Sequence, residues 1–107
     1  MLTIAELPEF IRISNKLLTE TERQDIIRYL AEHPKAGDLM EGTGGVRKLR
    51  WARGGQGKSG GVRVIYYWLK EDGQIYMLLV YPKSEKDNLT DRETAILRDL
   101  VKELCHG

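Results

Sequence analysis

Apolar and polar positions alternate with two rhythms along the chain. After a short extended start from Leu2 to Leu7, Pro8 sits where the first turn of a helix accepts a proline, and Phe10, Ile11, Leu17 and Leu18 recur at helical spacing. Thr19-Glu-Thr-Glu22 has the spacing of a reciprocal cap and opens a second helix whose inward side is Ile26, Ile27, Leu30 and Ala31. Pro34 and Gly37 end it. The rhythm then changes: Val46 to Arg53, Val62 to Lys70 and Gln74 to Tyr81 are rich in β-branched, aromatic and aliphatic residues. Glu71-Asp-Gly73 reads as the hairpin turn between the last two. The middle segment is nearly all apolar or aromatic, with Arg63 near its start, which predicts a central strand covered on both faces. A second capping pattern, Thr90-Asp-Arg-Glu93, opens a C-terminal helix with Ile96, Leu97, Leu100, Val101 and Leu104 as its apolar stripe. The order β-α-α-β-β-β-α predicts an α+β fold, a small antiparallel or mixed sheet with helices packed beside it.

Composition narrows the setting. The 107 residues, 41% of them hydrophobic, suit one domain spanning 1–107. A lone cysteine, Cys105, has no internal disulfide partner, and apolar runs such as Met77 to Tyr81 fall far short of the ~20 residues that cross a bilayer. A cytoplasmic protein with no membrane partner is expected. The net charge of +1 hides a strong asymmetry. Residues 1–41 and 71–107 each carry eight acidic and five basic residues, whereas 42–70 carry Arg47, Lys48, Arg50, Arg53, Lys58, Arg63 and Lys70 with no acid. A field of +7 with Trp51, Tyr66, Tyr67 and Trp68 interleaved points to a phosphate-bearing partner. Tyr66, Tyr67, Trp68, Tyr76 and Tyr81 themselves are expected more often in the core than as stacking platforms.

Candidate chemistry thins quickly. Eight of the eleven glycines fall between Gly42 and Gly61, giving the loops Gly42-Thr-Gly-Gly45 and Gly54 to Gly61. Ala52 to Ser59 loosely matches a phosphate loop, but Gly60-Gly61 leads into a strand, and the motif needs a helix there to aim backbone N–H groups. A flexible basic hairpin loop is the expected use of the same residues. His33 precedes Pro34 at a helix end and His106 is penultimate, so a histidine-pair nuclease is not expected. Cys105 has no spaced partner, and carboxylates are absent from 42–70, so neither a metal nor another cofactor is expected. Chemistry must run on Lys and Arg. Period two puts Lys48 and Arg50 on one face of their strand, against Arg47, Leu49, Trp51 and Arg53 on the other. With Arg63 and Lys83, four cations can converge on one region of the sheet.

Three blocks, Gly42-Thr-Gly-Gly-Val-Arg-Lys-Leu-Arg50, Gly57-Lys-Ser-Gly-Gly-Val-Arg63-Val-Ile-Tyr-Tyr-Trp68 and Ile75-Tyr-Met-Leu-Leu-Val-Tyr-Pro-Lys-Ser-Glu-Lys-Asp-Asn-Leu89, occur in order with regular elements between them. Together they resemble the HigB-type branch of the RelE/ParE toxin superfamily. The resemblance implies a small toxin of a bacterial type II toxin–antitoxin pair that enters the ribosomal decoding site and cuts messenger RNA. It implies basic residues acting on the scissile phosphate, and those positions match Lys48, Arg50, Arg63 and Lys83. Arg47, Arg53 and Lys58 are expected to contact RNA. A helix-turn-helix antitoxin, the ribosome with its message, and operator DNA reached through the antitoxin complex are the implied partners. One departure stands out: the tyrosine that RelE carries before its last helix is replaced here by Leu89-Thr90.

Attack by the 2′-hydroxyl needs proton removal, stabilisation of a dianionic phosphorane and protonation of the leaving 5′-oxygen. Arg63 has the donor fork for the phosphorane, Lys48 is placed to accept the 2′ proton, and Lys83 or Arg50 to serve the leaving side. A ParE-like protein that inhibits DNA gyrase by binding, and a plain nucleic-acid-binding module, are the rival readings.

Overall fold

The computed structural model describes residues 2–52, 61–86 and 88–106, with the His106 side chain outside that description. The elements are β1 (Thr3–Glu6), α1 (Pro8–Leu17), α2 (Glu20–Glu32), β2 (Asp38–Leu39), β3 (Val46–Trp51), β4 (Val62–Leu69), β5 (Gln74–Pro82) and α3 (Asp91–His106). They make the expected α+β fold. The five strands form one mixed sheet in the order β1-β5-β4-β3-β2, with β1 parallel to β5 and the other neighbours antiparallel.

Both capping patterns close as expected. Thr19 Oγ1 accepts from the Glu22 amide at 3.1 Å while Glu22 returns a carboxylate to the Thr19 amide at 2.9 Å. Thr90 and Glu93 repeat the exchange at the start of α3. Each satisfies orphan N–H groups of a first turn, a contribution of about 1 kcal/mol.

The sheet is covered on both sides. On one face Leu49, Val62, Val64, Tyr66, Ile75, Met77 and Val80 pack with Phe10, Leu18, Ile26 and Leu30 from the α1–α2 region. On the other, Val46, Ile65, Tyr67, Leu69, Leu78 and Tyr81 meet Leu97 and Val101 of α3. β4 is the central strand, buried throughout except for partly exposed Trp68. A bulge adds Leu78 between the Ile65–Leu79 and Tyr66–Met77 pairs. Two stripe residues do not face inward as expected: Ile11 and Ile96 are 41% and 57% exposed. Each helix presents a narrower buried stripe than its run of apolar residues suggests, because one sheet face fills only part of a helix surface.

β2 was not legible in the sequence, and a tyrosine positions it. The Tyr66 hydroxyl donates to the Pro34 carbonyl at 2.7 Å and accepts from the Gly37 amide at 2.9 Å, which fixes the turn between α2 and β2. Gly37 is needed for closeness: a Cβ there would lie 2.8 Å from Tyr66 Cε1 and 3.0 Å from the Lys48 backbone. Farther on, Thr43 is fully buried, donating to the Met40 carbonyl at 2.7 Å and accepting from the Val46 amide at 3.0 Å. Together these contacts hold Asp38–Leu39 against Arg47 and Lys48. We expect Gly37→Ala to force β2 away from β3 and to cost about 1–3 kcal/mol. A lower urea midpoint at unchanged slope would register it. An unchanged midpoint would mean that the turn has room the structure does not show.

Candidate functional site

The cations gather on the face of the sheet that α3 covers in part. In the β3–β4–β5 register Arg50 stands opposite Arg63, Arg63 opposite Tyr81, and Lys48 opposite Ile65. Directly paired residues share a face. Lys48, Arg50, Arg63 and Tyr81 therefore belong to one side, while Leu49 is packed in the opposite core, as period two requires. Lys83 lies just past β5, where its amide bonds the Gly61 carbonyl at 3.0 Å and carries the β4–β5 pairing one step further. The structure thus brings Arg50 and Arg63 side by side, with Lys48 along the same strand and Lys83 at the sheet's end.

Burial separates their chemistry. Arg63 is 6% exposed, so its stem packs in the sheet as well as carrying charge. Arg50 is exposed and its Nη1 donates to Asp38 Oδ2 at 2.9 Å. Lys48 is half-buried and its Nζ donates to Asn88 Oδ1 at 3.3 Å. A cleft of about 290 Å³ opens here, with Asp38, Glu41, Lys48, Arg50, Asn88 and Thr94 among the residues around it. The chain between β5 and α3 crosses this face: Lys86 Nζ lies 5.3 Å from the Tyr81 ring centroid and pairs with Glu93 at 2.5 Å. That ammonium, with the Thr90 amide, holds the Glu93 carboxyl below its ordinary range.

The remaining residues singled out in the sequence fall elsewhere in the structure. Arg47 faces the other way, its Nη1 donating to the carbonyls of Gly37 at 2.8 Å and Lys35 at 3.3 Å. Its first role is to brace the turn before β2. Arg53 and Lys58, and with them nearly all of the basic loop expected over Gly54 to Gly61, lie outside the described residues. The element after them is β4 rather than a helix, in keeping with the mismatch to a phosphate loop. His33 caps the end of α2, exposed, and its ring lies 4.7 Å from that of Tyr29. Tyr66, Tyr67 and Tyr81 are core residues, whereas Tyr76 and Trp68 are partly exposed. Thr90 commits its hydroxyl to the α3 cap, and Leu89 lines the cleft.

Asp38 and Asn88 were missed. Carboxylates are absent from 42–70, but β2 brings one in from outside that window, and only its pairing with β3 shows that it meets Arg50. Among the described residues no three His, Cys, Asp or Glu side chains gather as a metal-ligating group, and no helix is long and apolar enough to cross a membrane.

At the far end of the same face, Cys105 is exposed with its Sγ 3.1 Å from Tyr67 Oη. Burial first, then this thiol, pushes the Tyr67 phenol up to about 12 from 10.0. Burial raises Tyr66 as well. A phenol whose folded value lies above its unfolded value stabilises fully below about pH 10, and that contribution fades as pH climbs towards the folded value. The urea midpoint should therefore fall between about pH 10 and 12. Tyr67→Phe should shallow the fall, and an equally steep decline in that variant would locate the effect elsewhere.

The family described as RelE toxin of the RelE/RelB toxin–antitoxin system matches residues 9–106. Among solved structures, the chain is similar to RelE in the intact E. coli RelBE toxin–antitoxin complex at TM-score 0.58 and 17% identity, over 77% of this chain and 96% of that one. It is similar to a double arginine-to-alanine mutant of E. coli RelE in the free state at 0.58 and 18%, over 80% and 87%. The isolated E. coli RelE toxin gives 0.57 and 14%, over 94% and 99%. At these identities the likenesses speak for the fold. The family match, covering nearly the whole chain, speaks for descent: this protein belongs to the RelE toxin family, within the RelE/ParE-type superfamily.

Proposed function

We propose that this toxin is a metal-independent, ribosome-dependent endoribonuclease that cuts messenger RNA in the cytoplasm, of the HigB-type branch that its three sequence blocks resemble. The observation that carries the reading is the juxtaposition of Arg50 and Arg63 across β3 and β4, with Lys48 on the same face and Lys83 at its end. A protein that only binds nucleic acid needs positive charge spread along a path, whereas cations grouped on one face around the Arg50–Arg63 pair suit a single phosphate as its charge rises.

The arrangement suits the following reaction. The 2′-oxygen attacks the adjacent phosphorus as Lys48, acting in its neutral amine form, takes its proton. Arg63 and Arg50 hold the dianionic phosphorane, and the bond to the 5′-oxygen breaks as Lys83 protonates that oxygen. The products are a 2′,3′-cyclic phosphate and a 5′-hydroxyl. On this scheme Asp38 occupies the Arg50 guanidinium until substrate phosphate replaces it. The partners are the ribosome and its message, a small helix-turn-helix antitoxin, and operator DNA reached through the antitoxin complex. The antitoxin suppresses activity by covering the basic face or blocking its approach to the ribosome.

Purified protein should cut a defined message when translating ribosomes are present and leave it intact in their absence. Affinity for the ribosome should fall steeply with salt, as counterion release requires. Charge reversal at Arg53 and Lys58 should weaken docking for all messages alike. Cleavage of free message at the same rate would refute ribosome dependence, and a salt-independent affinity would remove the basic segment as the docking surface.

A further inference from the structure

Aromatic rings collect on the opposite side of the sheet from the proposed reaction face, where Tyr29 of α2 meets Trp51 of β3. The Tyr29 ring lies 4.7 Å from His33 and 5.6 Å, edge-on, from Trp51, yet Tyr29 keeps 40% of its surface exposed. Two depressions meet at it. One, of about 300 Å³, lies between Tyr29, Arg50 and Trp51; the other, of about 530 Å³, is lined by Tyr29, His33, Lys35 and Trp68. Arg50 belongs both to the first of these and to the cleft beside Asp38. Arg50 and Tyr29 thus each border two of these depressions, and the track turns the edge of the sheet, from Arg50 on the α3 face to Tyr29 and Trp68 on the α1–α2 side.

Trp68 packs against the α1–α2 core. Its indole N–H is buried and meets no acceptor among the described residues, while part of the ring is exposed. Cations flank the track. Arg50 stands at one end and Lys35 at the other, where a further depression of about 350 Å³ shares Lys35 and Trp68 and adds Lys70. Exposed rings interleaved with cations match one polymer well, because bases released from a helix stack on aromatic faces while their phosphates pair with Lys and Arg. A duplex offers no free base faces to such rings.

We infer that the track from Arg50 over Tyr29 to Trp68 binds the single-stranded RNA next to the scissile phosphate, bases stacking on Tyr29 and Trp68 and phosphates pairing with Lys35 and Arg50. The choice of RNA rests on the function proposed above; the track itself rests on the geometry of α2 and β3. Binding here would help hold the reacting phosphate among the four cations.

The test uses a short fluorescein-labelled oligoadenylate and purified protein without ribosomes. Wild-type protein should bind it with quenching of tryptophan fluorescence. Tyr29→Ala should weaken binding about tenfold with a native circular-dichroism spectrum, and Tyr29→Phe should restore it. Lys35→Glu should weaken binding and flatten its salt dependence. Wild-type affinity in both folded variants, Tyr29→Ala and Lys35→Glu, would overturn the inference, as would equal binding of a double-stranded probe. Normal RNA binding by Tyr29→Ala with loss of neutralisation by the antitoxin would make the track a protein interface instead. If wild-type protein cuts no message on ribosomes yet shows the Tyr29-dependent quenching, the nuclease reading fails and the track stands. If Tyr29→Ala cuts messages normally and binds RNA normally, the track fails and the nuclease reading stands.

Discussion

Arg63→Ala protein is expected to fold and to lose ribosome-dependent cleavage by about 10²- to 10³-fold, the usual effect of removing one well-placed donor at a developing charge. Arg63 is the centre of the cation group, paired across β3 with Arg50 and across β5 with Tyr81. Its rigid fork of N–H donors can meet two phosphoryl oxygens at once. An interaction realised only in the transition state should depress kcat and leave KM nearly unchanged. Burial complicates the experiment, because a side chain only 6% exposed also fills space in the sheet. Arg63→Lys therefore belongs beside the alanine variant: it keeps a charge and much of the stem but loses the fork. If charge geometry dominates, Arg63→Lys stays well below wild type while its melting temperature stays close to it. Full cleavage by folded Arg63→Ala protein would remove Arg63 from the reaction.

Features carried by neighbouring residues were legible in the chain, and features made by distant contacts were not. Thr19 and Glu22, like Thr90 and Glu93, sit three residues apart and close a cap within one turn, so spacing alone specifies them. β4 announced itself because a strand buried on both faces needs a nearly unbroken apolar run. Asp38–Leu39 has only two residues, too few to show a period, and its place depends on Tyr66 far along the chain. The parallel pairing of β1 with β5 joins opposite ends of the sequence and leaves no local mark. At the site, alternation along β3 put Lys48 and Arg50 together correctly, and the β4 register supplied what alternation could not, the placing of Arg63 directly opposite Arg50. Alternation also set Arg47 on the other face, but nothing local showed that its guanidinium would be taken up by the carbonyls of Lys35 and Gly37. Asp38 and Asn88 were invisible for the same reason as β2: each meets its cation only after the chain has folded back.

Induction of the toxin without an antitoxin is expected to stop protein synthesis before it disturbs DNA. Nuclease and gyrase inhibitor differ in what the cation face would have to touch. A gyrase inhibitor works by lying against another protein, and for that a buried arginine opposite an ion-paired one offers little, since only the exposed rim of such a cluster contributes contact. A nuclease uses the same cluster differently, admitting one phosphate into it and exchanging Asp38 for that phosphate at Arg50. Pulse labelling after induction separates the two. Amino-acid incorporation should collapse in the first labelling interval, while plasmid supercoiling and early thymidine incorporation persist and message fragments accumulate. Co-expression of a cognate antitoxin should restore incorporation. Lys48→Ala and Lys83→Ala should each blunt the arrest, because the proposed reaction puts them at opposite ends of the displacement, on the 2′ proton and on the leaving oxygen. If supercoiling changes first while messages stay intact, the gyrase-binding reading takes over, and Lys48, Arg50, Arg63 and Lys83 become a docking surface instead of a reaction centre.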